Sequence, residues 1–280
     1  MGRTLESEAD VKIREIEGFL RVHNLARYDD EGFRFGPRDV DITGVLMCFK
    51  PTLDAMQAAH EAHCNLIITH EELNFPPVYS GARVKDQLTG TVTLLRMRRL
   101  LELGITVVRV HASLDELCVL HEFAKALGLG EPTVHGDYWE RTYDIAPTTV
   151  RELALQVKQR LHMKTVRVAG DQGRTVRRVA LPWGGVAISA NPNCIQRLLT
   201  FDPDVLITGE TEDIPMYAAV DADVPLIETG HSESECPGVR RLAALFAEAF
   251  PDVPVEFYQN PRPWTLFRAA PTAAQERHAQ

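Results

Sequence analysis

The feature that most constrains this chain is an alternation. Short, almost wholly apolar runs recur along it: "TGVLMCF" (43–49), "NLIIT" (65–69), "ITVVRV" (105–110), "DVLITGE" (204–210) and "VPLIETGH" (224–231). Between the first three lie stretches with helical spacing, "PTLDAMQAAHEAHC" and "QLTGTVTLLRMRRLLELG", and a third, "ELCVLHEFAKALGLG", follows them. Strands buried on both faces read as continuous apolar runs rather than alternating ones, and helical crossovers cover those faces. The pattern predicts an α/β fold with mixed, largely parallel sheets. Thr52 is placed to cap the helix after the first run, and Gly104 to stop the helix before the third.

Near residues 130–140 the texture changes. "TYDIA" reads as a strand, and Thr149 with Glu152 forms a capping-box signature for a helix over "TTVRELALQVKQRL". "KTVRVAG" and "RTVRRVAL" flank "DQG" and predict a hairpin. A helix is predicted from Pro237, a residue suited to the first helical position, to about Phe250, with a last strand in "VPVEFY". At the other end, Val11, Ile13, Ile16, Phe19 and Leu20 have helical apolar spacing.

Composition narrows the function. The 280 residues carry 30 Lys and Arg against 39 Asp and Glu, a formal charge of -9, which argues against a general affinity for nucleic acid or anionic membranes. No apolar run approaches the ~18 residues of a membrane span. Five scattered cysteines (48, 64, 118, 194 and 236) without a C-x-x-C pair favour a reducing compartment, and the expected location is cytoplasmic. Neither Gly184-Gly185 nor Thr208-Gly209 completes a phosphate-binding loop.

The chemistry gathers at strand ends. His70 follows "NLIIT", His111 follows "ITVVRV" and His231 follows "VPLIETG". Open parallel sheets bind ligands beyond the carboxyl ends of their strands, so shared sheets would collect these imidazoles along one edge. Each has carboxylates nearby: Glu71 and Glu72 after His70, Asp115 four residues after His111, and Glu235 four after His231. Imidazoles with carboxylates and no thiolate pattern suit Zn, Fe, Mn or Co. His60 and His63 read as a polar helix face.

Taken in order, "GVLMCFKPTLDAMQAAHEAHCNLIITHEELNF", "VVRVHASLDE", "DVLITGE" and "LIETGHSESECPGV" resemble the NGG-one-interacting-factor-three-like family over about residues 40–257. Its members are dinuclear-metal proteins, often labelled homologues of type-two GTP cyclohydrolase one. The resemblance implies metal ligands at His70, Asp115, His231 and Glu235. A carboxylate can bridge two cations and offset their repulsion, and Asp115 is the expected bridge. Glu71 stands where the family has a second histidine and is kept as the fifth ligand. His111 is placed beside the metals, and Glu72 and His111 are the candidate catalytic groups. Glu210 replaces a family aspartate. The implied cofactor is two divalent ions per chain (Zn, Fe or Mn), in the cleft between two α/β domains: 1–130 completed by 231–270, and 131–230. Residues 271–280 are expected to be a disordered tail. The implied assembly is a homohexamer. Two functions fit: a metal-dependent hydrolase acting on a small molecule such as a nucleotide or phosphoester, or a non-catalytic metal-binding scaffold or regulatory interaction protein.

Overall fold

A computed structural model describes residues 11–77, 83–136 and 140–267; the expected tail at 271–280 lies outside the described residues. In chain order the first elements are α1 (Ile13–Val22), β1 (Gly32–Phe35), β2 (Val45–Cys48), α2 (Leu53–Glu61), β3 (Leu66–Thr69), α3 (Val84–Thr89), α4 (Thr91–Leu103) and β4 (Thr106–Arg109). A short α5 (Ala112–Leu114) runs through a π-helical turn (Asp115–Val119) into α6 (Leu120–Ala126). Then come β5 (Val134–His135), β6 (Arg141–Thr149), α7 (Val150–Arg160), β7 (Arg167–Ala169), β8 (Thr175–Ala180) and α8 (Pro192–Leu199). The chain closes with β9 (Val205–Thr208), α9 (Asp213–Asp221), β10 (Leu226–Glu228), α10 (His231–Ala249) and β11 (Val255–Tyr258).

These strands form two sheets, in the orders β1-β4-β3-β2-β11 and β5-β6-β8-β9-β10-β7. In the first, β4, β3, β2 and β11 are parallel and only β1 runs against its neighbour. The second is mixed: β8, β9 and β10 are parallel, with antiparallel strands on both flanks. The expected fold class is therefore what forms. The parallel strands β2, β3, β4 and β9 are buried at every residue, which is why they were legible as apolar runs. One apolar cluster joins the sheets, from Ile16 of α1 through Val45, Ile68 and Val108 to Val179, Ile207 and Phe246. No described helix is long and apolar enough to cross a membrane.

Local signals explain most element ends. Thr52 accepts from the Ala55 N–H at 3.2 Å, and Thr149 and Glu152 form the reciprocal capping box. Gly104 closes α4 in the left-handed conformation, φ 64°. Three expectations need correction. The helix expected across 87–104 is broken at Gly90, whose backbone approaches Phe75 so closely that a Cβ would lie 2.7 Å from its carbonyl oxygen. The expected hairpin does not form, because β7 pairs with β10 while β8 lies between β6 and β9. Two adjacent β-rich runs with a turn between them satisfy the hairpin pattern equally well when one crosses to the far edge. Finally, α10 begins at His231, six residues before Pro237, because Gly230 at φ 107° turns the chain directly out of β10. Pro237 forfeits one helical N–H but sits close enough to the start for the helix to continue.

Candidate metal centre

The parallel registry of β3 and β4 delivers His70 and His111 to the same edge of the first sheet. From the second sheet, β10 delivers His231, and the first turn of α10 stacks Glu235 above it. Asp115 opens the π-helical turn behind His111. Such turns, which widen a helix locally, recur at functional sites. His70, Glu71, Asp115 and Glu235 are buried, and His111 and His231 are half-buried.

Each imidazole is anchored through Nδ1. His70 Nδ1 lies 2.9 Å from the Val110 carbonyl, His231 Nδ1 2.9 Å from Glu210 Oε2, and His111 Nδ1 3.3 Å from Asp30 Oδ2. That leaves each Nε2 turned toward carboxylates. His70 Nε2 is 3.1 Å from Glu235 Oε2 and 3.5 Å from Asp115 Oδ1. His231 Nε2 is 3.2 Å from Glu235 Oε1, and both His111 Nε2 and His231 Nε2 are 3.8 Å from Glu71 Oε1. Two sets could each surround a cation, His70 with His111 and Asp115, and His70 with Glu71 and Glu235; within each, one donor atom per residue lies within 4.8 Å of the others. Anchoring one ring nitrogen to a carbonyl or carboxylate fixes the tautomer that presents the other as a lone pair.

His70 Nε2 and Glu235 Oε2 are buried 3.1 Å apart, and neither completes a well-formed hydrogen bond. An unsatisfied buried polar group costs about 1–3 kcal/mol, more when charged. A cation between them would satisfy both. Charge points the same way. Burial pushes the His70 imidazole down, but the charges of Glu235 and Asp115 outweigh it and carry the pKa up to about 9. His231 is likewise raised against its burial, mainly by Glu235 and Glu210. Burial raises Asp115 to about 6, against the pull of His70. Burial also opposes ionisation of Glu235, yet the two imidazoles hold its carboxyl well below the usual range. The carboxylates thus attract protons to the imidazoles where a divalent ion could supply the positive charge instead.

The glycine pair that completes no phosphate loop has a different use. A Cβ on Gly184 would lie 1.8 Å from Glu235 Oε1, and one on Gly185 would lie 3.2 Å from the His231 ring. Gly184 is also at φ 50° and donates its N–H to Ser234 Oγ at 2.8 Å. Gly184→Ala is therefore expected to displace Glu235 and lower metal content by more than about tenfold, the scale of losses when groups supporting a ligand are removed. Elemental analysis of the purified variant, with circular dichroism to confirm folding, checks it; unchanged metal content would contradict the cradle.

Other supporting groups were not anticipated. Trp183 Nε1 donates to Asp115 Oδ1 at 3.2 Å. Glu31 accepts from the His111 and Ser113 backbone N–H groups and the Ser113 hydroxyl, fixing the turn that carries His111. Asp30 is held well below the usual carboxylate range by its contact with His111, despite partial burial. "YDDEG" carries no spacing that links it to residues some 80 positions later. Glu210, noticed only as a substitution, anchors His231. Glu72 is drawn away from the cluster: its carboxylate accepts from Arg109 at 3.2 Å and from the Leu73 N–H at 3.1 Å. Arg109, fully buried, also donates to Asp30 Oδ2 at 2.7 Å and to the His70 carbonyl at 3.0 Å.

A cleft of about 650 Å3 opens onto Glu71 and His231, with Phe49, Lys50 and Trp264 on its walls. Lys50 Nζ is 3.8 Å from Glu71 Oε2 and donates to the Glu72 carbonyl at 3.0 Å.

Comparison with known proteins agrees with this arrangement of elements. The family described as Duf34/NIF3 (NGG1p interacting factor 3) matches residues 9–263. A Deinococcus radiodurans protein called "GTP cyclohydrolase 1 type 2 homolog" is 27% identical over 261 residues, covering 90% of this chain and 93% of that protein. A Clostridium perfringens protein of the same name is 24% identical over 260 residues, covering 88% and 93%. Among solved structures, a Staphylococcus aureus hypothetical protein superposes with a TM-score of 0.75 at 20% identity, covering 92% of this chain and all of that one. A Bacillus cereus protein related to NIF3 gives 0.75 at 15% identity, covering 92% and 99%. At these identities the likeness establishes the fold.

Proposed function

This chain belongs to the Duf34/NIF3 family, and we propose that it is a dinuclear divalent-metal protein that hydrolyses a small molecule, such as a nucleotide or phosphoester, in the cleft above Glu71 and His231. The observation that carries the reading is the set of three imidazoles tied through Nδ1, with every Nε2 directed at buried carboxylates and the His70–Glu235 pair unsatisfied.

His70, Glu71, Asp115, His231 and Glu235 would hold the ions, joined by His111. Glu235 suits the bridging position better than Asp115. Its two oxygens face different imidazoles, His70 and His231, whereas Asp115 Oδ1 is engaged by Trp183. The carboxylate-rich set favours Mn or Fe over Zn. A pair of divalent ions, when bound, activates water at neutral pH and stabilises charge on the attacking and leaving oxygens. Around them the chain's own groups have separate tasks. Asp30, Glu210 and Val110 hold the imidazole tautomers, and Trp183 fixes Asp115. Lys50, at the mouth, is placed to receive an anionic oxygen of the substrate. Phe49 and Trp264 give the cleft apolar walls for the remainder. The reading includes a hexameric assembly and a cytoplasmic location.

One observation favours the alternative, a non-catalytic metal-binding scaffold: Glu72 is committed to Arg109, which removes one candidate for proton transfer. A hydrolase screen on protein reconstituted with Mn, Fe or Zn separates the two, with His70→Ala as the blank. Turnover that vanishes in His70→Ala supports the enzyme. Stoichiometric metal without turnover on any nucleotide or phosphoester supports the scaffold.

A further inference from the structure

A second cleft, of about 1150 Å3, lies across α10 from the metal cluster and is larger than the one that opens onto it. Its walls come from α6, the end of α7 and the turn after it, the N-terminal half of α10 from Glu233 to Arg240, and residues between 259 and 266. Cations dominate its rim: Lys125, Arg160, Lys164 and Arg240. In a chain whose formal charge is -9, that concentration runs against the average. Its two carboxylates are already engaged, Glu122 by Lys125 at 3.5 Å and Glu233 by Arg262. Among the described residues, Arg160, Lys164 and Arg240 have no carboxylate partner within ion-pair distance. Arg160 lies across Gly128 at the end of α6, where a Cβ would collide with its guanidinium, and Arg240 stacks on the Phe257 ring with 4.1 Å to the centroid. Both contacts are made by the guanidinium groups, which places the Arg160 and Arg240 donors at the cleft surface.

We infer that this cleft binds a small, multiply charged anion of the phosphate-bearing class, at a site separate from the metal cluster. Cations gathered in a concave, low-dielectric surface focus their field on its interior. A guanidinium offers paired donors that match phosphate oxygens, and an ammonium adds a point charge. The half-exposed Trp264 indole supplies an apolar face beside them, with Arg262 over it at 5.1 Å. The neighbouring cleft over the cluster contains none of Arg160, Lys164 or Arg240 and has Glu71 and Glu210 on its walls, so an anion held there would depend on the bound metal ions, whereas one held here would not. Glu233, Arg262 and Trp264 line both clefts, which therefore adjoin there.

The test is calorimetric titration of pyrophosphate into the 280-residue chain at low and at moderate salt. It is run on the parent, Arg160→Ala/Lys164→Ala, Arg240→Ala and His70→Ala. The substituted cations are exposed, so folding should persist, and circular dichroism verifies it. The expected result is saturable binding that weakens with salt and falls at least about tenfold in the double variant, the cost of losing one charge-assisted hydrogen bond or more. Arg240→Ala should weaken it too, and His70→Ala, which removes a cluster ligand, should leave it unchanged. No binding at millimolar pyrophosphate overturns the inference. So does binding that survives in both cation variants, or binding lost only in His70→Ala, which would assign the anion to the metal cluster.

Discussion

Glu235→Gln is expected to lose both metal ions together. Its carboxylate meets two of the three imidazoles through a different oxygen for each, at 3.1 and 3.2 Å, whereas Glu71 approaches His111 and His231 through a single oxygen at 3.8 Å. The amide keeps the shape but replaces one oxygen with an NH2 donor and removes the negative charge that offsets repulsion between two cations. Loss of a supporting group around a metal typically costs about 10–100-fold in affinity. Loss of a shared ligand should exceed that for both ions. Asp115→Ala should act more locally, because Asp115 faces His70 and His111 but not His231. Competition binding with a chromogenic chelator measures both variants. Equal, independent losses of one ion in each would return the bridging role to Asp115 or dissolve the idea of a bridge.

The second large effect concerns stability. Arg109→Met should destabilise the fold by about 3–5 kcal/mol, the cost of leaving a buried charge without its partner. Both Arg109 and Glu72 have side chains with no solvent exposure, and the guanidinium also ties Asp30 and the His70 carbonyl into one network. Methionine fills much of the volume, so the loss would report the stranded carboxylate rather than a cavity. The double variant Arg109→Met/Glu72→Gln should recover a large part of it. Urea denaturation gives the values. A change below about 1 kcal/mol would mean that water reaches Glu72 and that the ion pair is not dry.

Much of this was legible in sequence because buried parallel strands and helix caps are local signals. "NLIIT" and "ITVVRV" announce their burial by composition, and Thr149 with Glu152 announces a helix start within four residues. The histidines were legible for the same reason, since a strand end is a local event and parallel pairing then gathers such ends. The supporting groups were not. Asp30, Glu31 and Trp183 reach their partners across 68 to 82 positions, and Arg109 reaches His70 and Glu72 across 39 and 37, through contacts that only the assembled sheets create. The hairpin failed because a turn-like "DQG" specifies a reversal but not which strand is met afterwards. Pro237 misled because a proline near a helix start is compatible with the first position and, less often, with the second turn; Gly230 held the actual boundary. The Gly184-Gly185 pair completes no phosphate-binding motif, and its use in admitting the Glu235 and His231 side chains depends on contacts about 50 positions away that no local pattern carries.

The central claim is that these side chains form one centre for two divalent ions. Crystals of the 280-residue chain, grown without chelator and measured on both sides of the Mn, Fe and Zn absorption edges, test it most directly. The account expects two anomalous peaks between α10 and the end of β3, each about 2.0–2.3 Å from imidazole nitrogens or carboxylate oxygens of His70, Glu71, His111, Asp115, His231 and Glu235, with Glu235 touching both. A fully loaded sample showing no peak there, or one peak held by other residues, would contradict it.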